Sequence, residues 1–456
     1  MYDTGIKRSA LLIATLSAFF TPFMGSSINI ALPAIGSEFQ MGAVLMSWVP
    51  TSYLLAAAMF LVPLGRVADI FGRKRIFTYG IWIFTLSSLF ITVSPSASVL
   101  IALRVVQGFG SAMIFGTSMA ILTSVFPIEA RGRVLGISVA ATYFGLSLGP
   151  VLGGFLTSQF GWRSIFLVLV PMGLLVIYLI STRLKLEWAD AHGEKFDIVG
   201  SLLYSITLTS SMYGFSLLPS LSGKALTAAG AVGAVLFVLW ERKIESPLMN
   251  MNLFVQNATF TFSNLAALIH YSATFGSTFL MSLYLQYIKG FPPQHAGLIL
   301  VSQPLVMAIF SPLAGRLSDK IEPRVVASLG MAFTAAGLFS FTFIRAESRV
   351  AVLVAGLMLL GFGFALFASP NSNAVMTSIE KRLYSVGSAT LGTMRLLGQM
   401  LSMGIVMVIV AISLGGARIT PEYYKLFLSS MKTAYTIFAF LCCLGIVASL
   451  ARGKVR

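Results

Sequence analysis

The chain is 456 residues long, 57% hydrophobic and only 10% charged, with 31 Lys and Arg against 15 Asp and Glu for a net charge of +16. A soluble domain carries about a quarter charged residues, so this composition excludes a soluble globular protein. It points to an all-α polytopic membrane protein. Apolar runs of the length that a helix needs to cross a hydrocarbon core about 30 Å thick follow one another, and the ~10-residue alternating strands of a membrane β-barrel are absent.

The first run, residues 9–34, is too long for a signal-peptide core, so it reads as a span, and Lys7 and Arg8 before it place the N-terminus in the cytoplasm. Five further runs follow at 44–64, 76–94, 98–122, 133–157 and 162–181. A charged connector from Thr182 to Asp197 leads to two runs at 198–217 and 225–240, and a polar segment from Glu241 to Asn257 separates these from six more at 258–286, 297–315, 325–344, 350–370, 386–412 and 433–451. The expectation is fourteen spans.

With the N-terminus inside, 21 Lys and Arg fall on the inner side and 8 on the outer, with Arg104 and Arg395 inside spans. That bias predicts cytoplasmic N- and C-termini in the cell membrane. It also accounts for the excess positive charge without nucleic acid as a partner. Cys442 and Cys443 are adjacent within an apolar run and read as packing residues, not as a disulfide framework.

Between the second and third runs lies GRVADIFGRKR, with Gly65, Arg66, Asp69, Gly72, Arg73, Lys74 and Arg75. Asp69 is able to accept hydrogen bonds at a helix N-terminus, and the arginines are able to pair with acids or lipid headgroups; the plainer reading is an orientation anchor. The core recurs with identical spacing at Gly315, Arg316 and Asp319, followed by Arg324, again after the second run of a group of six. Matched position in two halves indicates duplication.

With that repeat, the chain resembles the major facilitator superfamily, specifically its fourteen-span branch of drug:proton antiporters. The loop is similar to the family's motif A, which implies a cytoplasmic latch between the halves. Arg104-x-x-Gln107-Gly108 is similar to motif B, which implies a role near proton coupling; snorkelling to the headgroups is the structural alternative. GLSLGPVLGG is similar to motif C, which marks antiporters. Its Gly145, Gly149 and Gly153 recur every four residues as a smooth stripe, Pro150 interrupts the hydrogen-bond ladder, and Gly154 follows. The stripe is expected to pack against a helix of the other half. Asp197-x-x-Gly200 and the segment from Glu241 to Phe254 also resemble the branch, as does GTMRLLGQ around Arg395, an arginine too deep to face lipid, which implies a cavity-facing role or an ion-pair or carbonyl contact.

Many members of the branch carry an acid in the first span where Met24 stands, and no span here has a carboxylate near its centre. The remaining titratable group is His270, either a proton carrier lining a cavity or a neutral, hydrogen-bonded core residue. Asn29, Asn264, Tyr271, Gln286, Gln303 and Gln399 are further candidates for cavity contacts, and Arg104 joins His270 for proton coupling.

The expected architecture is a six-helix bundle at 1–182, a linker with two extra transmembrane helices at 183–257, and a second six-helix bundle at 258–456. The expected function is export of lipophilic or amphipathic small molecules by alternating access, driven by protons, by a monomer in the lipid bilayer without cofactor or metal. No Walker-type segment is present, so ATP is not its fuel, and the pairs of intramembrane acids that enzymes use are missing. The alternatives are an uncoupled facilitator or importer of a small organic solute, and a receptor or scaffold that does not transport.

Overall fold

The computed structural model describes residues 4–126, 128–184, 186–189, 193–244, 247–249, 251–318, 320–380 and 384–453. They form α1 (Thr4–Glu38), α2 (Ala43–Phe71), α3 (Arg73–Ile91), α4 (Ala97–Val125), α5 (Ile128–Phe160), α6 (Arg163–Arg183), α7 (Ile198–Ser216) and α8 (Leu221–Glu241). The short α9 (Met251–Gln256) precedes α10 (Ala258–Leu283), which runs on through a π turn at Tyr284–Ile288. Then come α11 (Pro293–Leu300), α12 (Ser302–Ser318), α13 (Pro323–Ser340), α14 (Val350–Thr377), α15 (Tyr384–Leu414) and α16 (Tyr424–Ala451). No strand occurs among the described residues.

Helices dominate because a backbone in hydrocarbon must satisfy its polar groups within its own segment. Hydroxyls follow the same rule by donating to the carbonyl one turn back, as Ser17 does to Ile13 at 2.9 Å, Thr51 to Ser47 at 2.7 Å and Thr117 to Met113 at 2.6 Å. Helix starts are fixed by side-chain caps: Asp197 accepts from Gly200 N and Asn257 from Phe260 N, each at 2.9 Å.

Each predicted run coincides with a helix, the tenth being built from α11 and α12. Among the described residues, 11 helical stretches are long and apolar enough to cross a membrane. The other three, α3, α7 and α10, are 19, 19 and 26 residues long. Helices α1 to α6 pack chiefly on one another through α1 with α5, α2 with α4 and α3 with α4, and α10 to α16 do so through α13 with α14, α12 with α14 and α10 with α15. Helices α7 and α8 pair with each other, and α7 also touches α2 and α15.

Two ends of the bundle can be distinguished. The near end carries the α2–α3 turn and the start of α10, where Thr259 Oγ1 donates to Arg452 O at the close of α16. The far end carries the α1–α2 and α15–α16 turns, where Ala43 N donates to Ala417 O at 3.1 Å. The hydrogen bonds described between α1–α2 and α10–α16 join far ends: Ser282 Oγ to Asn29 O at 2.6 Å, Gln286 Nε2 to Ile30 O at 3.0 Å, and Arg418 to Gln40.

The glycine stripe departs from expectation. Gly145 lies against the backbone of Phe19, Gly149 against Ser26 and Gly153 against Ser27, so the stripe seats α5 on α1 of its own half. Ser27 Oγ donates to Gly149 O at 2.9 Å across that contact. The neighbouring face of α5 reaches the second half: a Cβ on Gly154 would come within 2.6 Å of Pro293 O, and Gly297 of α11 rests on Pro150 O. Four-residue spacing fixes a common face, but α5 is contacted on two faces, and the two small residues one step along serve the inter-half contact.

Candidate functional site

At the near end, the segment from Gly65 to Arg75, expected as a loop, is helical on both sides of Gly72, closing α2 and opening α3, and it is tied down by carboxylates. Arg73, 6% exposed, donates through Nε to Asp69 Oδ1 at 2.8 Å and through Nη1 to Ser124 Oγ at 2.7 Å, joining α2, α3 and α4. Arg66 pairs with Glu194 of the connector. Gly72 adopts φ 120°, a conformation that side chains disfavour, and the turn it makes opens the start of α3 to the connector. There Glu187 accepts from Lys74 N at 2.7 Å and Arg75 N at 3.1 Å, and Arg73 N donates to Trp188 O at 2.8 Å. Asp69 was expected to cap a helix N-terminus; it holds Arg73 instead, and the cap is Glu187. The described partners of the loop thus belong to the first half and the connector, not to the second half.

Fewer contacts are described for the second copy. Gly315 lies near Ser369, Arg316 is exposed, Arg324 is half-buried, and Asp319 lies outside the described residues. The buried cation at this end is Arg452, 1% exposed, donating to Asn371 Oδ1 at 2.9 Å, Pro323 O at 2.8 Å and Ser263 Oγ at 3.4 Å. Burial pushes its guanidinium down to about 10, so it stays charged at neutral pH.

A second arginine is sealed inside the first half. Arg104 is 0% exposed; its Nε donates to Val49 O at 3.1 Å, Nη1 to Gln107 Oε1 at 2.5 Å, and its guanidinium lies 4.4 Å from the ring centroid of Tyr53. Gln107 Nε2 passes the chain on to Ser88 Oγ at 2.7 Å, and Tyr53 meets Ser111 Oγ at 2.6 Å. The snorkelling alternative does not hold, since the side chain satisfies its donors on neutral oxygens and an aromatic face within the bundle.

The seam between the halves holds the third. Gly398 of α15 sits against Leu268 O and the Cβ of Tyr271 on α10, which draws the two helices together. One turn earlier Arg395, half-buried, lies 5.4 Å from the Tyr271 ring centroid. Across the seam, α5 of the opposite half, which carries Tyr143, packs on α12. Tyr143 was not singled out in the sequence; a tyrosine two residues before the glycine stripe was the available signal. A mobile ligand entering here would meet one cation, one phenol ring and no described carboxylate.

His270 belongs to a different environment. It is 0% exposed, stacks at 4.1 Å on Phe367 with Phe364 at 5.0 Å, and neither ring nitrogen has a partner among the described residues. The alternative of a hydrogen-bonded core histidine is therefore not what is observed. Met24 is fully buried in the core. Asn29 and Asn264 each donate one turn back, at 3.3 and 2.9 Å, and leave Oδ1 unpartnered. Gln303 is buried beside Gly361, and Gln399 is half-buried one turn beyond Arg395.

The sequence pattern of the Major Facilitator Superfamily matches this chain at residues 14–263 and 263–454. The chain is 28% identical to the riboflavin transporter RibZ of Clostridioides difficile over 97% of both proteins, and 33% identical to the multidrug resistance protein Stp of Mycobacterium tuberculosis over 85% of this chain and 73% of that one. It is 28% identical to the methylenomycin A resistance protein of Streptomyces coelicolor over 89% and 86%. The fold is similar to a D-xylose-proton symporter, with a TM-score of 0.69 at 15% identity over 98% and 97% of the two chains, and to an inward-facing bacterial homologue of the human lysosomal transporter Spinster, with 0.68 at 15% over 99% and 97%. A repeated basic loop, a buried Arg-Gln pair and a glycine-lined fifth helix, joined to these matches over nearly the whole chain, show that it belongs to the Major Facilitator Superfamily and to its drug:proton antiporter-like branch of transporters.

Proposed function

We propose that the protein exports lipophilic or amphipathic small molecules across the cell membrane by rocking two six-helix bundles, residues 1–182 and 258–456, about the seam at Arg395. The reading includes fourteen spans with cytoplasmic termini, supported by the 21 to 8 distribution of Lys and Arg. The near end is then the inner side. Contacts gathered at the far end correspond to a state closed outward, in which the loop from Gly65 to Arg75 is held by the connector and free to engage the second half when the bundles rock back.

The observation that carries the substrate class is Arg395 against the ring of Tyr271. A cation beside an aromatic face, with no described acid opposite, favours planar electron-rich or anionic amphipaths over cations. Protons are the coupling ion in this reading, with His270 and Arg104 as the residues assigned to coupling.

Proteoliposomes with an imposed pH gradient test it, using one anionic and one cationic lipophilic dye. The anionic dye is expected to move with the gradient, and Arg395→Ala to slow it by roughly tenfold or more, the value of one charge-assisted contact, with the cationic dye less affected. Movement indifferent to the gradient sinks proton coupling, and equal loss for both dyes sinks the substrate assignment. His270→Ala with unchanged pH dependence removes that residue from coupling.

A second reading, import of a small planar solute, is favoured by the match to the riboflavin transporter RibZ over 97% of both chains. Uptake of riboflavin into the same vesicles without a gradient would support it.

A further inference from the structure

The helices inserted between the halves contain a pair of carboxyl groups that transport does not use. Asp197 opens α7 and Glu241 closes α8, and the two are 5% and 2% exposed. Asp197 accepts from Gly200 N at 2.9 Å and from Trp240 Nε1 at 3.2 and 3.1 Å. Glu241 Oε2 accepts from Met249 N at 2.9 Å, folding the segment after α8 back on the helix end.

Those donors occupy the outer edges of the pair. On the inner edge, Glu241 Oε1 has no donor among the described residues, and it stands 2.7 Å from the point where a Cβ on Gly200 would lie, with Asp197 Oδ2 2.0 Å from the same point. Two ionised carboxylates at such a distance repel, and a single proton between them turns repulsion into a strong hydrogen bond. A metal ion does not suit the place: its approaches are taken by N–H groups, and no third His, Cys, Asp or Glu joins the pair among the described residues.

Among the described residues, no neighbouring cation substitutes for the proton. Lys195, Arg242 and Lys243 in the flanking segments are exposed. Helix α2, packed on α7, brings Arg66, engaged by Glu194, and Asp69, engaged by Arg73; α15 brings Arg395, held at Tyr271. Lys224 stands at the opposite end of α8.

We infer that Asp197 and Glu241 together form a proton-binding site, one proton shared between their carboxyl groups, at the junction of the two extra helices with the connector. The site does not depend on proton-coupled transport. Three residues before Asp197 stands Glu194, the partner of Arg66. Release of the proton leaves two like charges in the buried knot and loosens the strap that holds the basic loop.

Infrared difference spectroscopy on the full chain in lipid tests the inference through the carbonyl stretch of a protonated carboxyl group. Wild type is expected to show such a band at neutral pH, and Glu241→Gln and Asp197→Asn each to remove it. Both variants keep the size and the backbone acceptors, and the new amide donates where the proton stood. Thermal stability supplies the second readout. The folded pair retains a proton that the unfolded chain releases above about pH 4.3, so wild-type stability falls as pH rises until the pair is empty. In Glu241→Gln that fall is absent. Absence of a protonated band above the ordinary carboxylate range overturns the inference, as does a band that survives in both variants. Stabilisation by calcium or magnesium in wild type alone would replace the proton with a metal and overturn it too. Should Asp197→Asn fail to fold, Glu241→Gln decides.

Discussion

The two loops that share the Gly-Arg-x-x-Asp core are locked by different chemistry. In the first, carboxylates surround the arginines: Asp69 holds Arg73, Glu194 holds Arg66, and Glu187 caps the start of α3. In the second, Arg316 is exposed and the buried guanidinium comes from the far end of the chain, where Arg452 ties α16 to α10, α13 and α14 through neutral oxygens. A repeat in sequence therefore marks a repeated position, while the lock at that position is rebuilt from whatever side chain can reach it. The first lock depends on charge pairs, which a change of partners can exchange. The second is a fixed rivet.

That contrast is open to measurement by thermal unfolding of the purified protein. Arg452→Ala should produce the largest loss, about 3 kcal/mol, because it leaves Asn371 and Pro323 O buried without their donor. Lysine should not restore it, since one ammonium cannot span both acceptors as the fork does. Arg73→Ala should cost less, about 2 kcal/mol, through loss of Asp69 and Ser124, and should impair turnover more than stability. Arg316→Ala should stay within about 0.5 kcal/mol, as an exposed change does. If Arg452→Ala were as mild as Arg316→Ala, the rivet would be an ordinary surface residue and the comparison would collapse.

Much of the helical framework was legible in the sequence, because long apolar runs broken by glycine and charge leave a backbone in lipid few options. The basic segment was legible as well, although not that α2 and α3 extend through it and leave Gly72 alone as the turn. What it binds was not, since Glu187 and Glu194 sit in a connector whose path only folding determines. The stripe of Gly145, Gly149 and Gly153 could be placed on one face, but not assigned to α1 in preference to the second half. Arg452 carried no local mark that distinguished it from Arg456 or Lys454. His270 was visible as the titratable group in its span, while its stacking on Phe367 came from a helix almost a hundred residues away. Tyr143 gained interest only once α5 had been packed on α12.

The far-end closure is made largely of main chain: Ala43 N on Ala417 O, Gly42 against the carbonyl of Gly416, and Ser282 and Gln286 on the carbonyls of Asn29 and Ile30. Among the described residues no ion pair crosses it. Apart from the exposed contact of Arg418 with Gln40, such a seal has little to titrate and little for salt to screen. Its strength stays nearly constant across changes in acidity and ionic strength, so a chemical signal that opens it is delivered more readily from the centre or from the opposite end.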